Sequence, residues 1–327
     1  VKLRLWDLDP AAYGRHPLHS IERAWPESNC YVDLWVELLH SAGIDPIAAL
    51  PFTLAVDVEG DQWTFFKFPL ADLHALYGVK VFELNVWRSL QDHVADQLAQ
   101  GRPVIVEVDS YYLPDTAGTS YRSQHVKTSI AIQAVDLERR WLGYFHNAGY
   151  YELTGDDFAG VFRLEGHLTN PEYLVPYVEV AKLSKQAPPC DRRLLDDSLS
   201  LLRGHLSQRP ATNPFRRYAA RFPCDLAWLG GEPISLFHNY AFATLRQCGA
   251  AFDLAGAYLR WLEASGESGL ERAADGCQLI ATTAKALQFK TARAVNTRKG
   301  LDAAPMLDTM AAAWDETMTT LVTRYCS

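Results

Sequence analysis

The spacing of apolar residues after residue 29 predicts a helix that opens on a cysteine. The apolar side chains fall on one face of that helix: Tyr31, Leu34, Trp35, Leu38 and Leu39. Ser28 or Asn29 can cap the first turn, and Gly43 followed by Pro46 ends the helix. The pattern therefore puts Cys30 in the first turn.

Runs of β-forming residues follow this helix. The segment 104–109 is strongly β-forming, a polar loop spans 113–124, and His125 opens the next apolar run. Further strands are predicted at 63–68, 126–135 and 141–145, further helices at 70–77 and 87–100, and either a strand or an apolar helix at 51–57. One long helix followed by antiparallel-looking strands indicates an α+β fold.

The pattern of apolar and polar residues changes after Pro188-Pro189. Beyond that point helical periodicity dominates and strand signals are few; the predicted helices are 191–208, 235–264, 268–290 and 304–324. We therefore predict two domains, with residues 1–187 forming the α+β domain and residues 188–327 forming a mostly helical domain.

Composition restricts the classes of function. The chain has 327 residues, is 48% hydrophobic and carries a net charge of −8. This is a globular composition, and an acidic chain without a basic block is a poor match for nucleic acid. The apolar runs are too short to cross a bilayer, and the start has no apolar signal-peptide core. The six cysteines form no Cys-x-x-Cys pair, so we expect no metal site and a reduced, cytoplasmic protein.

Cys30 is the sharpest chemical feature of the sequence. A thiol in a first helical turn lies near exposed backbone N–H groups and the positive end of the helix dipole, and both favour the nucleophilic thiolate. The same N–H groups can hold a developing oxyanion. The alternative is a buried, inert cysteine that packs like an alanine.

The candidate partners of this thiol are one histidine and a third residue on the following strand. His125 opens a strand downstream of Cys30, where a base on a neighbouring sheet can reach a helix-borne thiol. Asn147 ends the following strand and is the predicted third catalytic residue, which would orient the imidazole. His146 is its rival. The alternatives are a surface histidine at residue 125 and a simple turn at Asn147.

Weaker candidates for substrate binding or oxyanion stabilisation are Asn29, Asp61, Gln62, Asp109, Tyr111, Tyr112, Tyr121 and His146. Asp61 and Gln62 precede a strand and are equally consistent with a turn. Asp109 ends a strand and is alternatively a turn cap. Tyr121 lies in the polar loop, where it could move as a lid.

The order of these residues resembles a known group of enzymes. Asn-Cys-Tyr-x-Asp-Leu-Trp at 29–35, Glu-Gly-Asp-Gln-Trp-Thr-Phe-Phe-Lys at 59–67 and Asp-Ser-Tyr-Tyr-Leu-Pro-Asp-Thr at 109–116 are similar to strings of a bacterial family described only as a domain of unknown function. Residues 25–150 resemble, more loosely, the papain-like acyltransferase family of BtrH from butirosin biosynthesis.

The resemblance implies a papain-like, BtrH-like cysteine acyltransferase fold and a reaction. Members of the BtrH family take an acyl group from the phosphopantetheine thioester of a carrier protein, and members of the closer family are often encoded beside amino acid:carrier-protein ligases. The implied partners are thus an acyl or aminoacyl carrier protein and a small acceptor such as an amine. No bound cofactor is implied, apart from the phosphopantetheine arm of the carrier protein.

The sequence departs from the papain-like pattern at one point, and three hypotheses for its function remain. Residues 22–29 lack the glutamine that papain-like peptidases place before the cysteine, so Asn29, Gln62 or the Cys30 N–H would have to bind the oxyanion. The chain is expected to be a thiol acyltransferase. The alternatives are a thioester or amide hydrolase on the same fold and a non-catalytic module that binds carrier proteins. A homodimer through the later helices is a further expectation.

Overall fold

The computed structural model describes residues 2–164, 174–184 and 191–326. Its strands are β1 (Leu3–Arg4), β2 (Val58–Glu59), β3 (Gln62–Trp63), β4 (Lys80–Glu83), β5 (Val104–Asp109), β6 (Lys127–Asp136), β7 (Trp141–His146), β8 (Gly149–Thr154) and β9 (Val178–Lys182). Its α-helices are α1 (Cys30–Ser41), α2 (Leu70–Tyr77), α3 (Leu90–Ala99), α4 (Gly155–Val161), α5 (Asp191–Ser207), α6 (Pro214–Leu229), α7 (Ile234–Ala241), α8 (Gln247–Ala264), α9 (Glu271–Thr297) and α10 (Ala304–Tyr325).

The chain divides into two compact units. The sheet unit consists of Val1–Pro17, Asn29–Asp45 and Leu73–Pro188, and the helical unit consists of Leu18–Ser28, Pro46–Asp72 and Pro189–Ser327. An α+β arrangement with an antiparallel sheet and a mostly helical C-terminal region is therefore confirmed. The predicted boundary between residues 187 and 188 lies outside the described residues.

The sheet unit is built on one antiparallel sheet. Its strand order is β4-β9-β5-β6-β7-β8, and β1 pairs with the far end of β6. Asp109 at the end of β5 lies opposite Lys127 at the start of β6. The two-residue turn between β7 and β8 lies towards the same end, because Ala131 of β6 is paired with Phe145. The segments before and after these strand ends therefore collect at one end of the sheet.

The two faces of the sheet are covered by different helices. The even-numbered residues of β5 pack with α3 in one buried cluster, which includes Val106 and Val94. On the other face, the hydroxyl of Tyr31 in α1 donates to Glu179 in β9 at 2.7 Å. Glu179 is the cross-strand partner of Ile105. Since alternate residues of a strand share a face, Glu107 and Asp109 lie on the same face as α1.

Local sequence explains why α1 begins and ends where it does. Asn29 has extended backbone and its side-chain oxygen accepts from the N–H of Val32 at 3.0 Å, a standard N-cap. The helix ends before Gly43, which adopts a φ of 73°, a value that glycine reaches without strain. Leu34 and Trp35 are fully buried. Cys30 is therefore the first residue of a capped helix, as its sequence predicted.

The segment that precedes residue 29 packs against helices of the helical unit. The indole N–H of Trp25 donates to the carbonyl of Ala281 in α9 at 2.9 Å. A Cβ at Gly249 in α8 would lie 2.5 Å from the Trp25 ring, so only glycine leaves room for it. Arg23 also pairs with Asp253 at 2.9 Å. These contacts explain why residues 18–28 belong to the helical unit although they precede α1 in sequence.

Several predicted elements differ from those observed. The predicted strand at 63–68 is wrong, because only Gln62–Trp63 pairs, in a short hairpin with β2, and the aromatic residues after it have no partner strand. The segment at 51–57 contains a 3-10 helix, Pro51–Ala55. Strands β4, β8 and β9 and helix α6 were not predicted. No helix among the described residues combines the length and hydropathy needed to cross a membrane.

Candidate functional site

His125 forms a hydrogen-bonded pair with Asp109 at the end of the sheet. Its Nδ1 lies 2.5 Å from Oδ2 of Asp109, whose other oxygen accepts from the N–H of Tyr111 at 3.0 Å. The Tyr111 ring stacks on the imidazole, with centroids 4.5 Å apart and planes 13° apart. The imidazole side chain is 69% exposed and Asp109 is 33% exposed. One ring nitrogen is thus engaged, and Nε2 makes no hydrogen bond within the described part of the chain.

This pair shares a sheet face with α1. Asp109 follows Glu107 and Ile105 on the face that carries Glu179. Tyr31, the residue after Cys30, reaches Glu179 on that face. The structure therefore brings Cys30, Asp109 and His125 to the same side of the same sheet. Among the described residues no hydrogen bond joins the Cys30 thiol to the His125 ring.

A cavity of about 440 Å³ opens beside the His125–Asp109 pair. We call it the histidine cavity; its lining residues are Glu107, Val108, Asp109, His125, Val126, Lys127, Arg163, Leu174, Val175, Pro176 and Tyr177. Lys127 pairs with Glu107 at 2.6 Å, so one cation on the wall is already neutralised. The cavity has the size of a small-molecule site and mixes apolar walls with a few polar groups.

Asn147 occupies the tight turn between β7 and β8. Its φ of 45° is in the left-handed region, which asparagine tolerates better than most residues. His146 and Gly149 are paired directly across this turn. No hydrogen bond connects the Asn147 side chain to His125 in the described ranges. The partner that the structure gives to His125 is Asp109, which the sequence had suggested as a substrate-binding or oxyanion candidate, or as a turn cap.

His146 lies in a second, buried histidine–aspartate pair. Its Nδ1 is 2.5 Å from Oδ2 of Asp115, and its Nε2 is 2.8 Å from the hydroxyl of Thr128. Tyr144 donates to the other oxygen of Asp115 at 2.5 Å. The His146 and Asp115 side chains are 2% and 3% exposed. Both imidazole nitrogens are engaged and the ring is closed off from solvent, so this network fastens the loop after β5 to β6 and β7.

The buried network includes a tyrosine whose pKa is strongly raised. Burial, followed by the charge and hydrogen bond of Asp115, raises the pKa of Tyr144 far above its ordinary value. The sequence offered no direct sign of Asp115 or Thr128 as partners of His146, because residues 115, 128 and 146 meet only through the strand register. Thr128, Tyr144 and His146 all stand at even-numbered positions of predicted strands. This was the available sign that their side chains share a face of the sheet.

The remaining loop candidates are held in place by α4. The hydroxyl of Tyr121 donates to Asp157 at 3.0 Å, and Arg122 pairs with the same carboxylate at 2.6 Å. The Tyr112 ring covers Gly160, where a Cβ would lie 2.2 Å away. Tyr111 is the member of this set that touches the His125 ring.

The first turn of α1 supplies the polar groups around Cys30. Cys30 is half-buried, and Asn29 is buried with its side-chain oxygen used as the helix cap. The backbone N–H of Cys30 makes no hydrogen bond in the described part of the chain. Burial, followed by Glu179, raises the pKa of Tyr31 far above its ordinary value. Glu179 was missed from the sequence, although the alternating Val178–Lys182 run is typical of a strand.

Asp61 and Gln62 lie in the helical unit. Glu59 and Gln62 are paired across the β2–β3 turn, which contains Gly60 at a φ of 70°. Both Asp61 and Gln62 are exposed. Among the described residues no three His, Cys, Asp or Glu side chains are grouped as metal ligands.

Comparison with known proteins identifies a family but gives no activity for it. No curated protein matches the chain. The model of the DUF1839 N-terminal domain matches residues 14–183, and the model of the DUF1839 C-terminal domain matches residues 191–323. Together these matches cover most of the 327 residues, including Cys30, His125 and the helices after residue 190. The chain belongs to the DUF1839 family, a family of unknown function.

Proposed function

We propose that this protein is a cysteine-dependent acyltransferase in which Cys30 is the nucleophile, His125 the base and Asp109 the residue that orients the base. The observation that carries the proposal is the 2.5 Å bond between His125 Nδ1 and Asp109, which leaves Nε2 without a hydrogen bond among the described residues. An imidazole held at one nitrogen by a carboxylate is the arrangement that nucleophile-activating histidines require. The fold that this implies is papain-like, with the cysteine helix packed on an antiparallel sheet.

The reaction uses two acyl-transfer steps. The Cys30 thiolate attacks the carbonyl carbon of a thioester donor, the bond from that carbon to the donor sulfur breaks, and the leaving thiolate takes a proton from His125. An amine then attacks the Cys30 thioester, a C–N bond forms, the C–S bond to Cys30 breaks, and His125 accepts the amine proton. The thiolate and the protonated imidazole are restored at the end of the cycle.

The first turn of α1 provides the oxyanion donor in this proposal. The Cys30 N–H points from the positive end of a capped helix and has no other partner among the described residues. It is therefore the group that we assign to the developing charge on the carbonyl oxygen. Because the thiol and imidazole are not hydrogen-bonded here, the proposal requires the two to approach when the donor binds.

The proposed donor is the phosphopantetheine thioester of an acyl or aminoacyl carrier protein, and the proposed acceptor is a small amine. An N-acetylcysteamine thioester carries the same reacting group as that arm. We expect intact-mass measurement to show one acyl group on the protein after incubation with this thioester, and none on Cys30→Ala. Cys224→Ala removes an exposed cysteine elsewhere and should still be acylated. Acylation of Cys30→Ala would contradict the mechanism.

Hydrolysis is the second candidate, and the exposure of His125 favours it. Since 69% of this side chain faces solvent, water can reach the base as readily as an amine can. The two activities are separated by the fate of the acyl-enzyme. Adding amines to the acylated protein should produce amide in preference to free acid if the protein is a transferase, and free acid throughout if it is a hydrolase.

A further inference from the structure

A second cavity adjoins the histidine cavity and has a different chemical character. It measures about 350 Å³ and is lined by Glu83, Leu84, Asn85, Val86, Val175, Pro176 and Tyr177. We call it the glutamate cavity. Val175, Pro176 and Tyr177 form a wall common to both cavities. A molecule that extends past this wall can therefore occupy the two cavities together.

The charge on the lining of the glutamate cavity is negative. Glu83 is exposed and makes no ion pair among the described residues. Among the described residues no lysine, arginine or histidine lines this cavity, whereas all three types line the other. The neutral side chain of Asn85 adds hydrogen-bonding groups, and the remaining lining is apolar apart from the hydroxyl of Tyr177. A small cation with an apolar body fits this combination.

The position of Glu83 is costly for the fold. It stands directly opposite Glu179 on the neighbouring strand, and like charges in that arrangement are destabilising. Glu179 is itself buried, with its two oxygens accepting from Tyr31 at 2.7 Å and from Tyr177 at 2.9 Å. Glu83 is exposed on the edge strand β4, where charged side chains are common, and a positively charged ligand would offset its repulsion from Glu179.

Tyr177 on the common wall lies close to several of the same carboxylates. Burial raises the pKa of Tyr177 to about 12, with further contributions from its bond to Glu179 and from the charges of Glu83 and Glu107. Lys127 neutralises Glu107 on the side of the histidine cavity. In the part of the chain that the structure describes, Glu83 is left as the carboxylate that lines the second cavity without a cation.

We propose that the glutamate cavity is a subsite for a primary amine with a short apolar body, and that it holds the acyl acceptor beside the histidine cavity. The role as acceptor site rests on the proposed acyl transfer, but the binding of the amine does not. The ammonium group would lie against Glu83 and Asn85, and the apolar body would contact Leu84, Val86 and Val175. Loss of one proton from the ammonium to solvent would make the amine nucleophilic, and His125 would accept the second proton as the C–N bond forms.

Three probes of equal length test the charge preference: butylamine, butanol and butyrate. In ligand-observed NMR titrations butylamine should bind most tightly, butanol less tightly and butyrate least. High salt should weaken the binding of butylamine and leave that of butanol unchanged. Glu83→Gln should weaken butylamine by about threefold to tenfold and leave butanol unchanged. Asn85→Asp adds a carboxylate and should strengthen butylamine. Glu232→Gln, which removes an exposed carboxylate in the helical unit, should change nothing.

Folding and function are separated within the same experiment. Glu83→Gln removes a like-charge pair, so its midpoint of urea unfolding should rise slightly, and weaker butylamine binding cannot then result from unfolding. Cys30→Ala should bind butylamine as the unmodified protein does. Equal binding of the three probes, or an amine preference that survives Glu83→Gln, would overturn the subsite. Amine binding without any acylation of Cys30 would instead overturn the acyl transfer and leave the subsite standing.

Discussion

The described residues of the sheet unit include two histidine–aspartate pairs with the same short bond and opposite surroundings. His125 and Asp109 meet at 2.5 Å on the face of α1, where the imidazole side chain is 69% exposed. His146 and Asp115 also meet at 2.5 Å, but on the other face, where the imidazole is 2% exposed. The distances alone therefore do not distinguish a reactive pair from a structural one.

The difference lies in the second ring nitrogen. In His146 it is bonded to Thr128 at 2.8 Å, so the ring has no capacity left to move a proton. In His125 it makes no hydrogen bond within the described residues, and a cavity opens beside it. Thr128, His146 and Asp115 make the same contacts as a catalytic triad with a hydroxyl nucleophile. Because solvent and substrate cannot reach these buried residues, they hold the loop in place instead. A reactive histidine–aspartate pair therefore differs from a structural one in the solvent accessibility of its ring and in having a ring nitrogen available for proton transfer.

The largest expected effect is on the rate of acylation. His125→Asn should lower the rate at which Cys30 acquires an acyl group by about 10²–10⁴-fold, because the thiol loses its base. Stability should change by less than about 0.5 kcal/mol, since the ring is exposed. Time-resolved intact mass and urea unfolding provide the two measurements. His74→Asn removes another exposed histidine of the sheet unit and should retain the full rate.

The buried pair should show the reverse profile. His146→Ala leaves the buried Asp115 without one of its partners, and breaking such a pair costs about 3–5 kcal/mol. The free energy of unfolding from urea titration measures this loss. Thr128→Val removes only one neutral hydrogen bond and should cost about 1 kcal/mol. A loss below 1 kcal/mol for His146→Ala would mean that the network does not anchor the loop.

A third comparison separates Asp109 from Asn147 as the orienting residue. Asp109→Asn should slow acylation about tenfold or more, less than the 10⁴-fold seen for a fully buried triad aspartate, because Asp109 is one-third exposed. Asn147→Gly should leave the rate unchanged, since glycine fits the positive φ of the turn. The opposite pair of results would restore Asn147 to the orienting role that its sequence position suggested.

Local periodicity was sufficient to predict the elements that carry the candidate site. Apolar spacing and a capping residue predicted α1 with Cys30 at its start. Unbroken β-forming runs predicted β5, β6 and β7. Such signals are contained in about ten consecutive residues, so a single sequence expresses them in full.

Pairing between distant segments could not be predicted in the same way. Asp109 and His125 meet because β5 and β6 are in one particular register, and a shift of one residue would move Asp109 to the other face. Asn147 followed His146 at a strand end, and chain order alone gave no reason to prefer Asp109. The segment 63–68 shows the related limit, since its aromatic residues look β-forming but have no neighbouring strand.

The smallest expected effect appears at alkaline pH and concerns the buried pair. The pKa of Tyr144 is raised in the folded protein by burial and by Asp115, whereas the unfolded chain titrates near 10. Above pH 10 the folded state therefore binds more protons, and this tyrosine's contribution to stability falls by about 1.4 kcal/mol per pH unit. Tyr144→Phe should cost about 1 kcal/mol below pH 9 and then lose stability less steeply than the unmodified protein above pH 10. Urea unfolding across pH 8–11 gives both quantities. Parallel curves above pH 10 would show that Tyr144 ionises without hindrance and that the pair around His146 is not the dry, closed network described above.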